Sequence, residues 1–251
     1  MRFLIISRQR AGSHMLSSML DSHPDLTCFG EAENVAWLDR LHEGQGAMIK
    51  YNRVEDREKL GQFRLIHLVR KDLLELTISN YLLKCTTKLG SSVPFHKVHT
   101  DSDDLLIWGE TMEGDACWDK DFTPAVLQED RTKNRYRYTT DKQTGFPIDL
   151  LSAGSLGKVM GRLCEEVLSW HDFLKDRALT VFYEDIVGSS RETTTMPEDI
   201  SRRICRHLGV PQHTMTTSFK KVNKFDRHSL PKKVRHLKSQ LRDMYVNTLL
   251  T

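Results

Sequence analysis

The chain has 251 residues, of which 39% are hydrophobic and 28% charged, and its formal net charge is +3. We expect one domain with one substantial core, and the first apolar run, residues 3–6, is too short for a secretory signal or a membrane span. The five cysteines are scattered, odd in number and without a C-x-x-C pair, which favours reduced thiols over a disulfide framework and predicts a cytoplasmic protein.

The first predicted elements are a short apolar strand, a basic turn and an amphipathic helix. The strand covers residues 3–6, the turn holds Arg10, Gly12 and Ser13, and the helix has an apolar face made by Met15, Leu16, Met19 and Leu20. Glycine permits close approach of the backbone, the first N–H groups of a helix attract anions, and Arg10 adds a fixed positive charge. This order predicts an anion-binding site, and a plain strand–turn–helix with a surface arginine is the alternative.

The turn lacks the features of a nucleoside triphosphate P-loop. That motif, G-x-x-x-x-G-K-[ST], supplies a lysine to the phosphates and a hydroxyl to Mg²⁺, and neither residue is found between positions 7 and 14. The later run Gly154–Val159 has a different glycine spacing and no hydroxyl after Lys158, so we predict the start of a helix there.

Further short apolar strands are predicted at 26–29, 65–69 and 179–183, with amphipathic helices between them and a long helix from about Leu156 to Leu174. This alternation predicts an α/β fold, in which a P-loop-like parallel sheet is flanked by helices. Arg70 ends the third of these four strands, and Ser79 lies on the helix that follows. The alternative role for Arg70 is a simple ion pair with a carboxylate such as Asp72.

These segments together resemble the sulfotransferases that use 3′-phosphoadenosine 5′-phosphosulfate (PAPS), and in motif form the bacterial carbohydrate and lipid enzymes of the trehalose and Nod-factor type. The turn is similar to their 5′-phosphosulfate loop, [ST]-x-P-[KR]-[ST]-G-[ST]-[ST], which Arg10, Gly12 and Ser13 match and from which Gln9, Ala11 and His14 depart. Arg70 and Ser79 resemble the pair that binds the 3′-phosphate. The runs 179–186 and 204–211 are similar to the family's late strand, with its Tyr-Glu-Asp-Ile ending, and to the helix end after it.

The resemblance implies one sulfotransferase domain over residues 1–251, which transfers a sulfuryl group from PAPS to a hydroxyl of a carbohydrate or glycolipid without a metal. The residues that it implies in donor binding are Arg10, Ala11, Gly12, Ser13, His14, Arg70, Ser79, Lys220 and Lys221. Arg10 would also stabilise the leaving group, and Glu31 would be the base that removes the acceptor's proton, from a strand end beside the first strand. Glu33, His96 and His99 are the alternative bases.

Two segments of unusual composition complete the chain. Residues 84–150 lose the alternating pattern and carry isolated aromatic residues in a polar sequence, so we predict an inserted lid that binds the acceptor, with a flexible loop as the alternative. His96-x-x-His99 there suggests a metal site, but no third ligand is defined and we expect none. Residues 220–242 are strongly basic; the resemblance implies that they fold over the nucleotide, and the alternative is a nucleic-acid-binding segment.

Overall fold

The structure is a computed structural model of the chain. It describes residues 1–32, 34–88, 105–108, 127–130, 135–138, 153–187, 194–217 and 232–251. The chain divides into two compact units. The first comprises Met1–Asp72, Glu165–Lys221 and Tyr245–Thr251, and the second comprises Leu73–Cys164 and Val222–Met244.

Eight strands and seven α-helices form the described part of the chain. The strands are β1 (Phe3–Ser7), β2 (Thr27–Glu31), β3 (Gln45–Lys50), β4 (Arg64–Val69), β5 (Leu105–Trp108), β6 (Leu127–Asp130), β7 (Arg135–Tyr138) and β8 (Ala178–Phe182). The helices are α1 (Ser13–Asp21), α2 (Leu73–Lys88), α3 (Ala153–Leu174), α4 (Tyr183–Val187), α5 (Glu198–Leu208), α6 (Lys232–Arg235) and α7 (Ser239–Leu250). Short 3₁₀ helices cover Val35–Arg40, Tyr51–Arg53 and Glu58–Gln62.

The first unit is built on a five-stranded sheet in the order β2-β3-β1-β4-β8, and every neighbouring pair is parallel. The predicted α/β fold is therefore confirmed, and the four predicted strands lie within one or two residues of β1, β2, β4 and β8. One expectation is wrong: the strand that ends in Glu31, β2, does not lie beside β1, because β3 is inserted between them.

Strand β3 was not predicted, because its sequence reads as a loop. It has only three consecutive apolar residues, Ala47–Ile49, and it includes a glycine and a lysine, which are uncommon in strands. Packing explains the glycine: a Cβ built on Gly46 would lie 2.3 Å from Cε2 of Phe3 on the neighbouring strand. The aromatic ring of β1 thus occupies the space that a side chain on β3 would need.

Helices cover both faces of this sheet. On one face, the apolar sides of α1 and α5 pack with Phe3, Ile5 and Val181 in a buried cluster that also contains Cys28 and Cys205. On the other face, His67 of β4 stacks on His171 of α3, with 5.8 Å between ring centroids. Both faces are thus closed to water, as the apolar strands require.

The second unit contains α2, the first part of α3 and a small antiparallel sheet in the order β5-β7-β6. The run at Gly154–Val159 lies in the first turns of α3, which confirms the predicted helix start. The three short strands fall within residues 84–150, whose predicted role as an acceptor-binding lid stays a prediction. Among the described helices, none has both the length and the apolar character needed to cross a bilayer.

Candidate anion-binding site

The candidate site lies at one edge of the five-stranded sheet, where all of the strands end. Carboxyl ends of parallel strands share an edge, which is where ligands bind in open α/β sheets. Here β2 ends in Glu31, β3 ends in Lys50, β1 leads into the loop 8–12, and Arg70 and Tyr183 follow β4 and β8. Each of the five strands therefore brings a residue of the site to the same edge.

The loop between β1 and α1 has an unusual backbone. Arg10 has a φ of 70° and Gly12 a φ of 94°, so two residues of five lie in the left-handed region, which costs a non-glycine residue about 1 kcal/mol or more. The backbone N–H of Ala11 donates to the carbonyl of Arg8. Gly12 is the N-cap residue of α1 and has no side chain with which to cap the helix. Ser13 and His14 begin the helix, with Ser13 buried and His14 exposed, so the loop delivers a helix N-terminus to the edge of the sheet.

Tyr183 packs against this loop and against Arg70. Its ring fills the space beside Gly12, and the guanidinium carbon of Arg70 lies 4.4 Å from the ring centroid. The hydroxyl of Tyr245 donates to the carbonyl of Arg70 at 2.7 Å. The Glu184 carboxylate accepts hydrogen bonds from the two backbone N–H groups that follow Arg70, at 2.9 and 3.1 Å. The side chain of the buried Arg70 is therefore held by the Tyr183 ring, and its backbone is held by hydrogen bonds.

The site concentrates positive charge in a poorly hydrated place. Burial first, and then the positive charge of Arg70, lower the pKa of Arg10 to about 10. Burial likewise lowers the pKa of Lys50 to about 8, against the attraction of Glu31, and the charges of Arg10 and Arg8 contribute to the decrease. A bound anion would offset this mutual repulsion, because each cation would gain an opposite charge in a medium of low dielectric constant.

Lys50 is the residue of the site that sequence reasoning missed. Its side chain is only 5% exposed; its ammonium group donates to the Ser13 hydroxyl and lies 3.8 Å from Oε2 of Glu31. A lysine at the end of an apolar run of three residues was the only signal in the sequence. Lys50 thus connects β2 to the loop, which explains how Glu31 belongs to the site although β2 and β1 are not neighbours.

An aromatic pair, one ring of which is exposed, lies near Glu31 in the chain. Phe29 is 39% exposed, and its ring meets that of Trp37 edge to face, with 6.0 Å between centroids. The register between β2 and β3 shifts between Phe29 and Glu31, so that Gly30 is an extra residue there. Irregularities of this kind are common beside functional sites, where they change the direction of a side chain.

The structure brings most of the residues predicted for the donor's 5′ end, and Glu31, to this edge. Arg10, Ala11, Gly12 and Ser13 form the loop and the start of α1, and Arg70 is placed as predicted at the end of β4. Ser79 is buried on α2 in the second unit, where its predicted role stays a prediction. Outside the described residues lie the predicted phosphate ligands Lys220 and Lys221 and the alternative bases Glu33, His96 and His99.

Comparisons with known proteins identify the fold. No protein-family model and no curated protein sequence matches the chain. A sulfotransferase from Alicyclobacillus acidocaldarius is similar in structure with a TM-score of 0.51 and 11% sequence identity, over 98% of this chain and 93% of that one. A mouse sulfotransferase, SULT7A1, complexed with PAP, gives a TM-score of 0.47 and 13% identity over 98% and 81% of the two chains. The chain therefore has the fold of a solved sulfotransferase, as its sequence predicted.

Proposed function

We propose that this protein is a sulfotransferase that uses PAPS as its donor. The observation that carries the proposal is the convergence of Arg10, Lys50 and Arg70 on the strand ends around a helix N-terminus. Lowered pKa values of Arg10 and Lys50 indicate a site that favours an anion of several charges. PAPS carries a phosphosulfate on its 5′ side and a phosphate on its 3′ side, and the shared fold supports this donor.

In this proposal the two sides of the donor bind to different parts of the edge. The loop 8–12, Ser13 and His14 receive the 5′-phosphosulfate through backbone N–H groups and the Arg10 guanidinium. Arg70 binds the 3′-phosphate, with Ser79 of α2 as a second ligand. Lys220 and Lys221, at the start of the basic segment 220–242, cover the nucleotide.

Sulfuryl transfer then needs positioning, charge stabilisation and a base. The acceptor's hydroxyl oxygen forms a bond to sulfur while the bond from sulfur to the bridging phosphate oxygen breaks, and adenosine 3′,5′-bisphosphate (PAP) leaves. Glu31 takes the acceptor's proton. Lys50, which contacts Ser13 and faces Glu31, stabilises the charge that develops between donor and base. The transfer itself uses these side chains and calls for no metal.

We propose a carbohydrate or glycolipid hydroxyl as the acceptor. The exposed ring of Phe29, which packs edge to face on the half-buried ring of Trp37, supports this choice, because the apolar face of a sugar ring packs on aromatic rings. Phe29 precedes Glu31 in the chain and Trp37 follows it. Residues 84–150 would complete the acceptor site. A cytoplasmic location for the enzyme stays a prediction from its cysteine pattern.

Thermal unfolding of the full chain with three ligands tests the proposal. A ligand that binds only the folded state raises the melting temperature with its concentration. We expect PAP to stabilise the protein more than ATP with Mg²⁺ or duplex DNA does. Greater stabilisation by ATP with Mg²⁺ would favour a kinase, and greater stabilisation by DNA that survives higher salt would favour a nucleic-acid-binding protein. Transfer of labelled sulfate from PAPS to a panel of oligosaccharides and glycolipids then tests the acceptor.

A further inference from the structure

Two buried polar side chains meet below the start of the anion-binding loop. Tyr51 directly follows β3 and His67 lies in β4, the two strands on either side of β1. The Tyr51 hydroxyl oxygen lies 2.6 Å from Nε2 of His67. In the sheet register, Lys50 pairs with Ser7 and His67 with Ile6, so this contact crosses β1 where the strand ends.

The contact continues into the loop through Arg8. Arg8 and Tyr51 directly follow the paired residues Ser7 and Lys50, and the backbone N–H of Arg8 lies close enough to the Tyr51 hydroxyl to oppose the rise of its pKa. Nε of the Arg8 guanidinium forms an ion pair of 2.7 Å with Glu166 on α3. Arg8 is therefore paired with Glu166 through its side chain, and its backbone lies beside the Tyr51 hydroxyl. Since Lys50 contacts Ser13, two consecutive residues at the end of β3 reach the two ends of the same loop.

Rings from α3 restrict the movement of this pair. Tyr51 stacks on Trp170 with 5.0 Å between centroids and 12° between planes, and His67 stacks on His171. Burial lowers the pKa of His67 to about 3 and raises that of Tyr51, so both side chains stay neutral across the physiological range. The hydrogen bond between them is therefore independent of pH in that range, and so is the oxygen that Tyr51 offers to Arg8.

We propose that Tyr51 and His67 act together as positioning residues that fix the first residue of the anion-binding loop, so that its N–H groups are arranged before the ligand arrives. The loop's ligand is the 5′-phosphate side of the donor, and only this part of the inference rests on the proposed function. Tyr51 holds Arg8, His67 holds Tyr51, and neither side chain touches the ligand.

Hydrogen exchange of the ligand-free full chain tests the positioning role without reference to any nucleotide. Tyr51→Phe keeps the stacked ring and removes only the hydroxyl. We expect the amides of residues 8–13 to exchange at least about fivefold faster in this variant, which is the loss of one hydrogen bond. Ser201→Ala, which removes a buried hydrogen bond on α5, is the control and should leave those amides unchanged. Equal exchange of the loop in wild type and Tyr51→Phe would overturn the proposal.

A double-variant cycle and a comparison of nucleotides complete the test. His67→Leu should accelerate the same amides, and the double variant should add little to either single change, because both act through one contact. Additive effects would contradict the pairing. Measured by calorimetry, Tyr51→Phe should weaken the binding of 5′-AMP and of PAP about fivefold and leave the binding of 3′-AMP unchanged. Equal losses for all three would overturn the assignment to the 5′ side, whereas a wild-type protein that binds none of them would reject the proposed function and leave the exchange result standing.

Discussion

The ring of Tyr183 occupies the space that a side chain at Gly12 would need. A Cβ built on Gly12 would lie 2.3 Å from Cδ2 of Tyr183, and the φ of 94° at Gly12 is rarely adopted by other residues. The loop after β1 and the residue after β8 therefore fit together only because position 12 has no Cβ.

Replacement of this glycine should disrupt both stability and the anion site. We expect Gly12→Ala to lower the free energy of unfolding by about 2–3 kcal/mol, because the methyl group meets a ring and the backbone is strained. Gly61→Ala is the matched control, since a Cβ there has nothing within 4 Å. Thermal and denaturant unfolding of both variants measures the difference. A Gly12→Ala protein as stable as the control would show that the loop relaxes freely.

Arg70 should distinguish nucleotides by their 3′-phosphate. We expect Arg70→Ala to weaken PAP binding by about tenfold or more, because a charge-assisted contact to phosphate contributes about 1.5–3 kcal/mol. Binding of 5′-AMP should change little. Arg64→Ala, an exposed arginine at the opposite end of β4, is the control. Equal losses of PAP and 5′-AMP, measured by calorimetry, would remove Arg70 from the 3′ side.

Lys50 should make both anion binding and stability depend on pH. Because its pKa is about 8 in the folded protein and near 10.5 in the unfolded chain, the unfolded chain holds the extra proton between these values. The contribution of Lys50 to the free energy of unfolding should therefore increase between pH 8 and pH 10.5. The affinity for PAP should fall as the pH rises through 8, because Lys50 then loses its positive charge. In Lys50→Met both contributions should disappear. A PAP affinity with the same pH profile in the variant would exclude Lys50 from the site.

Glu31 should matter for turnover and not for donor binding. Glu31→Gln keeps the shape of the side chain but cannot take the acceptor's proton, so we expect turnover to fall by about two to four orders of magnitude. PAP affinity should be nearly unchanged, and Glu43→Gln, at an exposed carboxylate paired with the N-terminus, should leave both unchanged. Sulfate transfer from labelled PAPS measures the first quantity. Turnover near that of wild type would move the role of base to Glu33, His96 or His99.

Local patterns in the sequence were sufficient to predict four of the five strands of the parallel sheet and most of the loop residues. The segment from Phe3 to Leu20 has a short unbroken apolar run, a turn and a helix period in succession, and each is decided by near neighbours in the chain. Contacts between distant segments were not accessible in this way. Lys50 lies in the site because Gly46 leaves room for the Phe3 ring and β3 can therefore pair with β1, and Tyr183 matters because its ring meets Gly12. Neither relationship has a periodic signal.

The left-handed backbone of Arg10 makes the loop a costly conformation that the rest of the fold maintains. Arg10→Gly should therefore raise the free energy of unfolding by up to about 1 kcal/mol, because it relieves the backbone and removes a cation that Arg70 repels. The same change should weaken PAP binding, since it removes the guanidinium proposed to contact the 5′ side and leaves a flexible loop that the ligand has to order. The free energy of unfolding would then rise while the affinity for PAP falls in the same variant. This is the result expected where a binding loop is held in a strained conformation at the expense of stability.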